Sequence, residues 1–303
     1  MKGEKIPQSL QKLLSPSRAE IVLMPESQGK GSWVGAPAAS YSENEDCFYL
    51  LTRFRKEGIR GYKIILYRTE DGLNLKKMIT LEANSLGARS IERGALQYTG
   101  KIWRFYLSYE GLKDKRWKLA VAQKENIPTV RADDFKVILE GDNINVNWVK
   151  DPVLFQNMLF VHTKELSGKA TYLVEKVKNG WQKTKALSGE HRWDRYCPRI
   201  TSIIESKDGF FAFYDGASTI KENQEEKLGL AYGKTLKRFK GLTPQGPVIV
   251  SPEGSGSIRY AEVKEARQKF YIWYESCSKD WSHQLRFRTV GKGELIRALE
   301  EYL

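Results

Sequence analysis

Glu92, Asp151 and Asp194 each sit in a short motif crowded with basic or aromatic neighbours: Ile91-Glu92-Arg93, Lys150-Asp151-Pro152 and Trp193-Asp194-Arg195-Tyr196. A carboxyl group gives or takes a proton and activates water, so these three are the catalytic candidates. Arg93, Lys150, Arg195, Arg199 and Arg259 form a second set. A guanidinium grips an anion through two parallel N–H donors, so a cluster of such residues could ring an anion. Trp33, Trp148, Trp193 and Tyr260 offer flat faces for stacking. Each candidate also has a plain structural reading. Asp-Pro is a common turn pair, Asp194 can cap a turn, arginines pair with acids, and aromatics fill cores. Asp215, in Tyr-Asp-Gly, reads as a turn marker. Glu110 and Glu275 each end an alternating strand and read as solvated or paired. Cys197 reads as a small buried filler, with no histidine placed to activate it.

The elements that must position these residues form a repeat. A short run, often containing proline, precedes an aromatic-rich alternating strand five times: GAPAASY then CFYLLTRF, ERGALQY then KIWRFYLSYE, KDPVLF then MLFVHT, YCPRITSI then GFFAFYDG, and SIRYAEV then FYIWYES. The repeat points lie near Pro37, Gly94, Pro152, Pro198 and Tyr260. Their mean spacing of roughly 56 residues leaves room for four short strands, one blade of a β-propeller. The expected fold is therefore all-β, a single five-bladed β-propeller domain with short terminal helices. Its blades would cover about 33–80, 88–140, 147–185, 192–240 and 247–290. Asp71-Gly72, Asn179-Gly180 and Asp208-Gly209 read as two-residue hairpin turns. Helices are expected only at 7–14 and 293–303, the second with Leu295, Ile296, Leu299 and Leu303 on one stripe. The charged segments 111–117 and 219–227 read as loops.

Composition narrows the function classes. The 303-residue chain carries 50 Lys and Arg against 37 Asp and Glu, a net charge of +13 that favours anionic partners. The basic residues are scattered and no nucleic-acid motif is present, so nucleic acid ranks last among partners. No apolar run reaches the length of a signal peptide or membrane span, so no membrane partner is expected. Cys47, Cys197 and Cys277 are odd in number and far apart, which points to a reducing cytoplasm without disulfides. His162, His191 and His283 show no metal-ligand spacing, so neither a metal nor another cofactor is expected.

Several motifs resemble the five-bladed propellers of glycoside hydrolase families 43 and 32. KDPVLF at 150–155 looks like the Asp-Pro motif that opens an inner strand there. TEDGLNL at 69–75 resembles an outer-strand turn of those families, and the stretch 214–239 their fourth blade. The resemblance spans roughly residues 33–290. It implies an active site at one mouth of a central funnel, lined by Ala36, Glu92, Arg93, Lys150, Asp151, Asp194, Arg195, Tyr196, Arg199, Arg259 and Tyr260. It further implies a role for Asp151 in tuning the acid and orienting substrate, and at such a site Trp33, Trp148, Trp193 or Tyr260 could stack on a sugar face. The family's first-blade base aligns with Ala36 and its fourth-blade acid falls near Tyr196, so the standard inverting pair is not visible. Glu92 and Asp194 could supply replacement carboxylates. Alternatively, Ile91-Glu92 resembles the second-blade motif of family 130 mannoside phosphorylases, in which inorganic phosphate is the co-substrate and the arginines would hold it. The expected function is cleavage of a glycosidic bond in a small glycan, anionic glycans included, by hydrolysis or phosphorolysis. The alternative is a catalytically inactive propeller that binds a sugar or a protein. The oligomeric state is not written in the sequence.

Overall fold

The computed structural model describes residues 6–165 and 168–303. A helix, α1 (Gln8–Leu14), leads into strand β1 (Glu20–Leu23). Sixteen strands then follow as four antiparallel sheets of four. The first holds β2 (Trp33–Ser42), β3 (Cys47–Lys56), β4 (Arg60–Thr69) and β5 (Lys76–Glu82). The second holds β6 (Ala88–Tyr98), β7 (Trp103–Gly111), β8 (Trp117–Lys124) and β9 (Lys136–Glu140). The third holds β10 (Trp148–Phe155), β11 (Met158–Glu165), β12 (Gly168–Val177) and β13 (Gly180–Ser188), and the fourth β14 (Arg199–Ser206), β15 (Gly209–Gly216), β16 (Lys227–Thr235) and β17 (Arg238–Gly241). The last three strands are β18 (Ile258–Ala266), β19 (Lys269–Cys277) and β20 (His283–Gly291), followed by α2 (Lys292–Glu300). Their fourth, outer partner is β1, which pairs antiparallel with β20. The chain's beginning thus completes the blade built by its end. A single parallel bridge, Trp33 to His283, joins this blade to the first.

The apolar cores confirm a ring. Leu51 and Leu66 of the first blade pack with Phe105 and Leu107 of the second, and Leu119 and Leu139 of the second with Val161 and Tyr172 of the third. Phe160 and Leu173 meet Ala212 and Tyr214 across the next gap, and Phe211 and Leu230 meet Ile272 and Tyr274 across the one after. Phe48 and Leu50 pack on Trp273 and Phe287, which closes the circle. The fold is a five-bladed β-propeller, and each blade buries both faces against its neighbours.

Every inner strand carries one extra residue. The register slips between Gly35 and Ala38, Ile91 and Gly94, Lys150 and Val153, Ile200 and Ser202, and Arg259 and Glu262. Ala36, Asp151 and Tyr260, all in these bulges, have φ of 48°, 52° and 54°. Left-handed backbone costs a residue other than glycine roughly 1–2 kcal/mol. In return a bulge re-aims its side chains, here at the propeller axis. The five repeat points of the sequence all lie at or within three residues of these bulges.

The local expectations need three adjustments. Two hairpins turn one residue earlier than expected, on Lys178-Asn179 and Lys207-Asp208, with Gly180 and Gly209 already paired to Val177 and Ser206. Asp71-Gly72 lies not in a two-residue turn but in the longer loop between Thr69 and Lys76. There Asp71 Oδ1 accepts from the amides of Leu73 and Asn74, and the Gly72 carbonyl accepts from Trp273 Nε1 at 2.8 Å. Gly72 has φ +87°, and an added Cβ would meet the Phe287 ring at 2.3 Å, so this glycine fastens the first blade to the fifth. Asp215, expected in a turn, is instead a buried residue of β15 paired with Arg199.

Candidate active site

Lys150, Arg199 and Arg259 occupy equivalent places on three consecutive inner strands, three residues before the first pair beyond each bulge. Their cross-strand partners are His162, Asp215 and Glu275. The repeat therefore delivers basic side chains from separate blades to one axial mouth. They line a cavity of about 200 Å³ together with Arg53 and Arg55 of β3, Glu92 of β6, Tyr260 of β18 and Glu226.

Three guanidiniums form the cavity floor, and all are buried. Arg53 pairs with Glu92 and lies 3.3 Å from Glu275. Arg199 reaches Asp151 at 3.1 Å, Asp215 at 2.7 Å and Glu226 at 3.6 Å. Arg259 reaches Glu226 at 2.8 Å and Glu275 at 2.6 Å. The Tyr260 ring lies against all three, closest to Arg199 at 3.8 Å from the ring centre. Buried charges persist only when paired, and here each arginine bridges carboxylates of different blades.

The same network fixes protonation. Burial alone would raise the Glu92 carboxyl, but Arg53 above all, then Lys150, hold it at about 2. Burial likewise opposes ionisation of Glu226, and Arg199 and Arg259 overcome it, keeping that carboxyl far below its ordinary range. Asp215 goes the other way: burial outweighs Arg199 and, helped by Glu226, lifts it to about 6. Burial also keeps the Tyr260 hydroxyl protonated. The cavity thus holds two ionised carboxylates and one tyrosine O–H.

The rim is cationic. Arg55 stacks on Trp33 at 4.4 Å and donates to Gln224 Oε1 at 3.1 Å, a neutral partner. Its Nε is buried without a hydrogen-bond partner, and burial draws its pKa down to about 10. Lys169 likewise bonds a neutral group, Asn223 Oδ1, at 2.7 Å. Lys150 lies over Trp117 and Trp148 and 4.0 Å from Glu92. These are desolvated or neutrally partnered cations facing one space, the arrangement that favours an anionic guest.

Of the residues expected at the mouth, Glu92, Lys150, Arg199, Arg259 and Tyr260 line the cavity. Asp151 stands behind Arg199 and holds it, and also lies 3.4 Å from the Arg93 amide. Trp33 is sandwiched between His283, 4.6 Å away, and the guanidiniums of Arg55 and Arg259, so it supports the cations rather than facing the cavity. Arg93 is turned to the far side of the bulges, where it pairs with Glu262 and donates to the Pro37 carbonyl at 2.9 Å. Asp194, Arg195 and Trp193 lie outside the lining. The turn before β14 uses them: Asp194 accepts from the His191 amide at 2.8 Å and the Tyr214 hydroxyl at 2.6 Å, Trp193 Nε1 donates to Thr243 O, and Arg195 Nε reaches Ser218 O. Ala36, at the position where the resemblance implies a base, donates its amide to Glu275 Oε2 at 3.1 Å.

Sequence reasoning missed Glu226, Arg53 and Arg55. Glu226 closes the charged loop 217–226 and enters the cavity because β16 starts at the next residue. Arg53 and Arg55 alternate on β3, which offered a signal, since inward charges on a second strand have no place in an ordinary blade. A histidine does approach Cys197: His162 Nε2 lies 3.5 Å from its Sγ. Burial, reinforced by Glu226, nevertheless pushes the Cys197 thiol to about 12, and burial keeps His162 neutral, so no thiolate forms. The three cysteines are free and buried. Among the described residues no helix is long and apolar enough to cross a membrane.

No protein-family model matches the chain, and no curated protein does. Solved structures do. A family 43 glycoside hydrolase from Xanthomonas citri in complex with xylotriose superposes with a TM-score of 0.61 at 10% identity, covering 93% of this chain and 91% of that one. The β-1,2-mannobiose phosphorylase of Listeria innocua gives 0.63 at 11% identity, covering 95% and 98%. The protein BT0996, solved as an RGII complex, gives 0.68 at 10% identity, covering 95% of each. The chain has the glycosidase-type propeller fold.

Proposed function

We propose that this chain is a carbohydrate-active enzyme that cleaves a glycosidic bond with an anion bound in the axial cavity, and that phosphorolysis with inorganic phosphate is the reaction the cavity favours. One observation carries this reading. Both lining carboxylates are held ionised by arginines, while Arg55 and Lys169 face the cavity and, among the described residues, hydrogen-bond neutral groups. Inverting hydrolysis needs one protonated and one ionised carboxyl group. Phosphorolysis replaces the carboxylate base by phosphate, which calls for a cationic cradle. Phosphate oxygen attacks the anomeric carbon, the bond to the leaving oxygen breaks, and that oxygen takes the proton that hydrogen phosphate gives up, while the Tyr260 O–H donates a hydrogen bond to it. Glu92 and Glu226 then serve as acceptors for sugar hydroxyls. Three free, buried cysteines suit a reducing compartment such as the cytoplasm.

The test is sugar release from aryl glycosides and from xylo- and manno-oligosaccharides, with and without phosphate. The expected result is a sugar phosphate formed only with phosphate, and a loss of about 100-fold or more in Tyr260→Phe. Equal cleavage without phosphate would replace phosphorolysis by hydrolysis. A specific observation favours a binding-only propeller as the second reading, namely Ala36 at the place of the family base. Sugar binding with no cleavage in either condition would establish it.

A further inference from the structure

Cys277, the last residue of β19, and His283, the first of β20, are directly opposed across a hairpin. Glu225 reaches them from the loop before β16. The Cys277 Sγ, a His283 ring nitrogen and a Glu225 carboxylate oxygen all lie within 4.8 Å of one another. We propose that these three side chains, none of them in the lining of the axial cavity, form a site for a thiophilic divalent cation of the zinc class.

The surroundings of the three donors are those of a ligand set. His283 Nδ1 is 2.7 Å from Glu275 Oε1, which fixes the ring and leaves Nε2 turned toward Glu225. A carboxylate on the far nitrogen is the usual support of a metal-bound imidazole. The Ser255 amide points at Cys277 Sγ from 3.4 Å, the bond a thiolate accepts. The Ser255 hydroxyl bonds Glu225 Oε2, while Glu225 Oε1 is buried without a partner. Gly254, at φ +56°, is what lets the sulfur in, because a Cβ there would lie 2.4 Å from Sγ. The separation of His283 Nε2 from Glu225 Oε2, 3.1 Å, is near the ~3.3 Å edge of a tetrahedron with zinc–ligand bonds of about 2.0–2.1 Å. A sulfur, nitrogen and oxygen donor set selects borderline and soft cations over calcium or magnesium, which take oxygen. Binding displaces the thiol proton and the proton between His283 and Glu225 to solvent, so the charges balance. The spacing of the histidines along the chain hides this site, because two donors meet across a hairpin and the third comes from the neighbouring blade.

The test uses full-length protein stripped with a chelator and titrated with cobalt(II). The expected result is a thiolate-to-cobalt charge-transfer band that saturates at one equivalent, is erased by zinc and is untouched by calcium. Cys277→Ser should lose the band and Cys47→Ser should keep it. Glu225→Gln, a milder change, should weaken cobalt binding tenfold or more. Absence of the band in folded wild-type protein, its survival in Cys277→Ser, or unchanged affinity in Glu225→Gln would overturn the proposal. If Cys277→Ser does not fold, Glu225→Gln decides alone.

Discussion

Arg199 shows how a single residue holds the site. Its guanidinium ties Asp151 of the third blade to Asp215 and Glu226 of the fourth. Replacing it by methionine leaves buried carboxylates without a counter-charge, and the expected loss of unfolding free energy is about 3–5 kcal/mol. Arg199→Lys should recover little of this, because an ammonium cannot reproduce the forked geometry; urea unfolding of both variants checks it. Asp215 makes a pH prediction. Its folded-state pKa, about 6, lies above the ordinary 3.8. The stability tied to its proton is therefore complete below about 3.8 and is lost as the pH rises through 6. By linkage the loss is roughly 3 kcal/mol. Unfolding curves across that window should show wild type declining relative to Asp215→Asn. Glu92, held at about 2, contributes the opposite slope at lower pH, between its ordinary 4.5 and 2.

At the scale of elements, the inner-strand bulges and the terminal helix pair set the geometry. The bulges were legible as a proline-linked repeat, because a residue that breaks the ladder leaves a composition mark. What stood beside them was legible only in part. Glu92, Lys150, Arg199, Arg259 and Tyr260 sit in or beside the recurring bulges, and the resemblance to glycosidase propellers implied that these positions share one mouth. Glu226 sits in an irregular loop, and Asp194 satisfies a turn, so no period distinguishes the one that reaches the axis from the one that does not. The role of β1 was also invisible, since four residues carry no repeat and gain meaning only by pairing with β20. Helix α1 belongs to the same closure: Leu10, Leu13 and Leu14 pack in one core with Leu295, Ala298 and Leu299 of α2. Leu10 is fully buried, so Leu10→Ala should cost about 2–5 kcal/mol, read as a lower thermal midpoint.

At the scale of the molecule, a net charge of +13 becomes interpretable once its distribution is known. Many cations are spread over the surface in single ion pairs, worth little each. Those at the axial mouth are different, because the blades bring them into one desolvated space where Arg55 and Lys169 have no acidic partner in hydrogen-bond contact among the described residues. An anion entering there should bind more weakly as salt rises, by screening. The most direct measurement is calorimetric titration of inorganic phosphate into wild-type protein and Arg55→Met at low salt. Saturable binding at one site, weakened about tenfold or more in the variant, is the predicted result. No saturable binding, or equal binding by the two proteins, would contradict a cavity built to hold an anion.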